Sequence, residues 1–170
     1  ENYLDQIMNI SVKNNNTVLI DAEDYKIQDK INTITDNFME QYNRDKLRIY
    51  KTYQLYRNDY LDIMKHDILK PRDYKIGFKI VRGAYYNEDK QYNILFDTIH
   101  QTHDNYNAGI SLFSSHFKPG DKLLCATHNT DSIDLAVQYI KDKKLDNVIE
   151  FAQLMGMSDK QSQKLAQETY

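Results

Sequence analysis

The sequence predicts an α/β fold of parallel strands alternating with helices, either an open doubly wound sheet or part of a (β/α) barrel, and three observations lead there. Short apolar runs and amphipathic stripes follow one another along the chain. The runs are nearly continuous in apolar residues, as in parallel sheets covered on both faces. Each run is followed by a polar cluster, and folds of this class gather ligands at the carboxyl ends of their strands.

Taken in order, residues 1–16 read as the end of a preceding helix. Strands are expected at residues 17–20, 47–49, 77–81, 122–126 and 147–151, where Val, Ile, Leu and Phe concentrate. Ile27, Ile31, Ile34 and Phe38 form a stripe at helical spacing, and Leu61, Met64 and Ile68 form another. A third stripe, Tyr106, Ile110, Phe113 and Phe117, ends before Pro119-Gly120. A fourth, Ile133, Ala136, Val137 and Ile140, follows the cap signal Thr130-Asp131-Ser132. A capping box of Ser158 and Gln161 opens a last helix that runs to the terminus. A complete eight-stranded barrel takes about 250 residues, so five strands in 170 residues make an open sheet or part of a barrel.

Composition narrows the class. With 41% hydrophobic and 28% charged residues the chain is globular, and one domain is expected at 170 residues. The 22 Lys and Arg are balanced by 25 Asp and Glu, and the scattered cations give no footprint for nucleic acid. No long uncharged apolar run predicts a membrane-spanning helix, which leaves a role at a membrane surface open. The single cysteine, Cys125, excludes an internal disulfide framework and a Cys-based zinc site. Glu1 in place of Met, with no targeting segment after it, reads as a piece of a longer protein.

All five strand ends are polar: Asp21-Ala22-Glu23, Tyr50-Lys51-Thr52-Tyr53-Gln54, Arg82-Gly83-Ala84-Tyr85, Thr127-His128-Asn129 and Gln153-Leu154-Met155-Gly156. Arg82 beside Gly83 and Ala84 lets an anionic ligand approach the backbone, and Lys79 adds a cation. The bland reading is a strand-end turn with a solvated arginine. His128 at a helix start is placed to donate to a phosphate or ring oxygen, or simply to cap. His100 and His103, three apart, have metal-ligand spacing, but no third ligand joins them and a solvated face is the simpler account. Asp21 and Glu23 share a strand face and suit acid-base or metal chemistry, or the holding of a neighbouring cation.

Five segments resemble the flavin-dependent proline dehydrogenases in order and spacing: LIDAEDY (19–25), YKTYQLYRNDY (50–60), GFKIVRGAYYNED (77–89), CATHN (125–129) and EFAQLMGMSD (150–159). The resemblance implies the central part of a (β/α)8 TIM-type barrel of about five strand-helix units, with FAD held at the strand ends. It implies oxidation of L-proline to pyrroline-5-carboxylate, with hydride passing to the flavin and electrons then to a quinone. By resemblance, Asp21 and Lys79 are catalytic, and Lys51, Lys79, Arg82, Gly83, Ala84, Thr127, His128 and Asn129 bind the cofactor. Asp21, Tyr85 and Leu154 then bind substrate, no metal takes part, and Gly156 allows a turn. Family habit implies peripheral membrane association, in eukaryotes on the matrix side of the mitochondrial inner membrane.

Two departures stand out. Lys51 falls where relatives usually place Gln or Asn near the flavin, and its charge would alter the flavin's potential. Relatives also carry an adjacent arginine pair that clamps the proline carboxylate, and a substrate-binding lysine on their first strand; this chain has no Arg-Arg pair. Two alternatives stand beside this reading: a catalytically silent scaffold that retains no flavin, and a metal-dependent barrel hydrolase or lyase using Asp21, Glu23 and His128.

Overall fold

The computed structural model describes residues 2–168. Five strands, Val18–Ile20 (β1), Ile49–Gln54 (β2), Gly77–Val81 (β3), Lys122–Ala126 (β4) and Ile149–Ala152 (β5), pair in parallel. Helix Asn2–Lys13 (α1) precedes β1, helices Tyr25–Tyr42 (α2), Tyr60–Leu69 (α3), Tyr86–Asp89 (α4), Ile99–His116 (α5) and Thr130–Lys143 (α6) occupy the connections, and Asp159–Gln167 (α7) follows β5. Spatial order follows chain order, β1-β2-β3-β4-β5. A doubly wound sheet reverses direction at a switch point, so this order is that of a barrel wall. Among the described residues β1 and β5 have no further strand beside them.

The two-residue period of the strands divides the sheet into two faces. Ile49, Tyr53, Phe78, Ile80, Leu123, Cys125 and Ile149 are buried under the helices, against Phe38 and Met39 of α2, Met64 and Ile68 of α3, Tyr106 and Phe113 of α5 and Ile140 of α6. Each such side chain contributes about 1.5–3 kcal/mol relative to exposure. The opposite, inner face is only partly covered at Lys79, Val81, Leu124, Ala126, Glu150 and Ala152. Burial on both faces, expected from the apolar runs, is reached by β2 alone.

Strands β3 and β4 match their expected bounds. The second strand does not: it runs over Ile49–Gln54 rather than 47–49, so the polar stretch read as a strand end is the strand itself. Its polar residues are buried with partners. Lys51 Nζ donates to Asp36 at 2.8 Å and Asp67 at 2.8 Å, and the Tyr53 hydroxyl donates to Asp67 at 2.7 Å. The fifth strand starts at Ile149 because Asn147, with φ 63°, breaks extended geometry.

Helix α2 is turned from its expected face. Gln28, Thr35, Phe38 and Met39 are buried while Ile27 and Ile34 are exposed, an orientation that carries Asp36 to Lys51. The capping box expected at Ser158 and Gln161 is not formed, since Ser158 makes no side-chain cap. A complete one opens α5, where Thr98 and Gln101 satisfy each other's backbone amides. The last two residues of the expected final helix lie outside the described residues.

Candidate active site

At the carboxyl ends of the inner face, three side chains form a row. Lys79 Nζ meets Asp21 Oδ1 at 2.5 Å. Between them Thr52, the register partner of Lys79, donates its hydroxyl to the carbonyl of Ile20 at 2.9 Å and stands 3.4 Å from Asp21 Oδ1. The alternation of β2 and β3 puts Thr52 and Lys79 on one face, and β1 ends where Asp21 can reach them.

Beside this row opens a cavity of about 430 Å³, a size usual for small-molecule sites. Its floor is apolar, from Val81, Ala126 and Ala152, and its rim carries Lys79, Arg82, Thr127, His128, Gln153, Leu154 and Met157. Gly83 and Ala84 line it where β3 ends. Gly83 has φ +151°, a conformation other residues rarely adopt.

The cation of Arg82 is not a solvated strand-end charge. Its Nε donates to Thr127 Oγ1 at 2.8 Å, its Nη1 to His103 Nδ1 at 2.6 Å and its Nη2 to Ser132 Oγ, and the guanidinium lies 4.1 Å from the Tyr106 ring centroid. Arg82 thereby joins β3 to β4, α5 and α6. Thr127 Oγ1 also accepts from the Asn129 amide at 3.1 Å. Asn129 is the N-cap of α6, its side chain accepting from Ser132 N–H at 2.9 Å. His128 Nε2 accepts from the Leu154 amide at 2.9 Å, so the neutral ring carries its proton on Nδ1.

On the β1 side the Tyr85 hydroxyl donates to Glu23, and that bond, ahead of burial, pushes its pKa up to about 12. Gln54 donates to the Glu23 carbonyl at 2.7 Å. Asp89, fully buried, accepts from the Tyr25 amide at 3.1 Å and the Tyr56 hydroxyl at 3.0 Å. These bonds tie the β1–α2 segment and the end of β2 to the turn that carries Tyr85.

Of the residues singled out by sequence, Lys79, Arg82, Gly83, Ala84, Thr127, His128 and Leu154 line one cavity, with Asp21 bonded to Lys79 and Asn129 next to His128. Lys51 is a correction. Its side chain lies on the helix-facing side of β2, 3% exposed between Asp36 and Asp67, because the odd and even residues of a strand face opposite ways. Burial opposes ionisation of Asp67, yet Lys51, the Tyr53 hydroxyl and Lys70 outweigh it and hold its carboxyl at about 2. The residues of β2 on the site's side are Thr52 and Gln54, legible from the same period once the strand is placed correctly. No signal in the sequence links His103, on α5 and outside the cavity lining, to Arg82. The histidine is held by Arg82 rather than paired with His100 for a metal. Asp21, Glu23 and His128 are engaged separately, by Lys79, Tyr85 and Leu154. Among the described residues no three His, Cys, Asp or Glu side chains are grouped to hold a metal.

The arrangement offers a cation, a carboxylate and ring and hydroxyl donors around an apolar floor, which suits a planar, partly anionic ligand. The family described as proline dehydrogenase matches residues 3–170. The chain is 32% identical over 175 residues to proline dehydrogenase 1, mitochondrial, of Dictyostelium discoideum, covering 93% of this chain and 31% of that protein. It is 35% identical over 164 residues to proline dehydrogenase 2, mitochondrial, of Arabidopsis thaliana, covering 86% of this chain and 34% of that one. The chain thus spans about a third of the length of these curated relatives. In fold it is similar to the crystal structure of proline utilization A from Bdellovibrio bacteriovorus inactivated by N-propargylglycine. The TM-score is 0.86 at 16% identity, over 97% of this chain and 18% of that one. Matched over almost its whole length, and folded as a five-stranded barrel wall with its polar residues gathered at the strand ends, the chain belongs to the proline dehydrogenase family.

Proposed function

We propose that this chain is the central part of a flavin-dependent proline dehydrogenase barrel that oxidises L-proline to pyrroline-5-carboxylate. The observation that carries the reading is the convergence of Lys79, Arg82-Gly83-Ala84, Thr127-His128 and Leu154 on one cavity at the strand ends. In the proposed domain organisation, residues 1–170 belong to one barrel domain and residues 1–16 end a preceding helix.

The residues present fit FAD. The floor of Val81, Ala126 and Ala152 suits a flat ring, and Lys79 and the His128 Nδ1–H supply donors. Bound FAD supplies the two-electron acceptor for the oxidation. Lys79 then stabilises negative charge beside the ring. Asp21 fixes the Lys79 ammonium and presents a carboxylate to the polar side of the substrate. Tyr85, held by Glu23, and Leu154 wall the proline ring. Gln54, not Lys51, is the amide side chain at this end of β2. Thr127, His128 and Asn129 are held in place from behind by Arg82 and the α6 cap.

As finer parts of the proposal, electrons leave to a quinone and the protein meets the membrane peripherally; no described helix is long and apolar enough to cross one. In a eukaryotic source the proposed location is the mitochondrion, in keeping with the names of the relatives, and within it the matrix side of the inner membrane by family habit. The test is FAD binding and L-proline oxidation by the purified protein. Arg82→Ala is expected to weaken FAD retention, and Tyr85→Ala mainly to impair turnover. Equal loss of both functions in both variants, tracking unfolding, would contradict the assignment.

A further inference from the structure

We propose that neutral His103 is the positioning residue for Arg82, and that protonation of its ring frees Arg82 and loosens the flavin site. This rests on the flavin reading above and adds the residue that sets its pH dependence. A guanidinium donates and does not accept. The 2.6 Å contact between Arg82 Nη1 and His103 Nδ1 therefore fixes the histidine ring with a lone pair on Nδ1 and its proton on Nε2. A proton on Nδ1 would abolish the acceptor and set two cations against each other at that distance.

What depends on the contact is the wall of the site. Arg82 also holds Thr127 Oγ1 at 2.8 Å and Ser132 Oγ, and Ser132 Oγ donates to Asn107 Oδ1 of α5 at 2.5 Å. Thr127 in turn accepts from the Asn129 amide. Movement of the guanidinium away from α5 thus reaches the Thr127-His128-Asn129 segment that rims the cavity. The surroundings favour the neutral ring. Burial, Arg82 and His100 oppose protonation while Asp104 and Asp131 favour it, and the balance lies below the ordinary histidine value. The sign follows: the clamp is intact above the ordinary histidine pKa and is lost as pH falls through that of the folded protein.

The test is FAD affinity of the purified protein, followed by flavin absorbance, between about pH 7.5 and about pH 4.5, from above the ordinary histidine value of about 6.5 to well below it. Wild type is expected to bind about tenfold more weakly at the acid end, the scale of one charge-assisted hydrogen bond. His103→Asn keeps an oxygen that accepts at every pH; it should bind like wild type at the upper pH and lose that acid dependence. His103→Lys carries a permanent cation and should bind weakly throughout. A flat wild-type profile, or parallel profiles for wild type and His103→Asn, would overturn the proposal. If no form binds FAD at any pH, the flavin reading fails, and thermal unfolding then judges the clamp. Melting temperature should fall with pH more steeply in wild type than in His103→Asn, and parallel curves would overturn the His103–Arg82 coupling.

Discussion

Lys79 lies on β3 and Asp21 directly follows β1, strands that are not neighbours, yet Lys79 Nζ reaches Asp21 Oδ1 at 2.5 Å across β2. Thr52 fills the strand between and anchors its hydroxyl on the Ile20 carbonyl, which leaves the ammonium free for the carboxylate. The pair is half open, Lys79 at 18% and Asp21 at 63% side-chain exposure, so its place is electrostatic rather than structural. Lys79→Met is expected to lower L-proline turnover about 100-fold, as for loss of one preorganised charge stabiliser. Its effect on unfolding free energy should stay below about 1 kcal/mol, as for an exposed ion pair. Steady-state kinetics and denaturant unfolding of one preparation check both halves.

Lys51 should behave in the opposite way. Lys51→Met removes the ammonium shared by Asp36 and Asp67 beneath α2 and α3. A broken buried pair costs about 3–5 kcal/mol, readable as a lower urea midpoint. FAD affinity of the folded protein should be unchanged, because the side chain lies on the other face of the sheet.

Acid stability follows from the same cluster. The Asp67 carboxyl is held at about 2 in the fold, below the ordinary value of about 4. A depressed carboxylate pKa contributes stability that is present above about pH 4 and lost as pH falls through the folded value. The contribution is about 2 kcal/mol. Asp67→Asn should flatten this part of the stability profile between about pH 4 and about pH 2, measured by denaturant unfolding at each pH. A wild-type profile already flat there would contradict it.

The cysteine gives a simple check on the sheet's parity. Cys125 is fully buried on the helix-facing side of β4, and burial pushes its thiol pKa up. Thiol-specific reagents should leave the native protein unlabelled and modify one thiol after unfolding. Rapid labelling of native protein would place β4 in the wrong register.

Much of this was legible in the residues. Strands β3 and β4 are apolar runs closed off by Gly77, Pro119-Gly120 and the Arg82-Gly83 turn, so their bounds and ends followed directly. Strand β2 was hidden because Lys51, Thr52, Tyr53 and Gln54 are polar, and their partners Asp36 and Asp67 stand on helices that periodicity cannot aim. That misplacement put Lys51 into the site in place of Thr52 and Gln54. The orientation of α2 follows only part of its stripe, Phe38 buried but Ile27 and Ile34 exposed, because the helix also carries the half-buried Asp36 to Lys51. The link from Arg82 to His103 and Ser132 needed tertiary structure, because it joins a strand end to two helices distant in sequence.

The most direct test of the central claim is the visible absorption spectrum of the purified protein with FAD, followed by anaerobic titration with L-proline. The account predicts a bound flavin spectrum that bleaches stoichiometrically on adding proline, and no bleaching in Lys79→Met on the same timescale. Protein that retains no flavin, or bound flavin that stays oxidised under excess proline in the wild type, would contradict it.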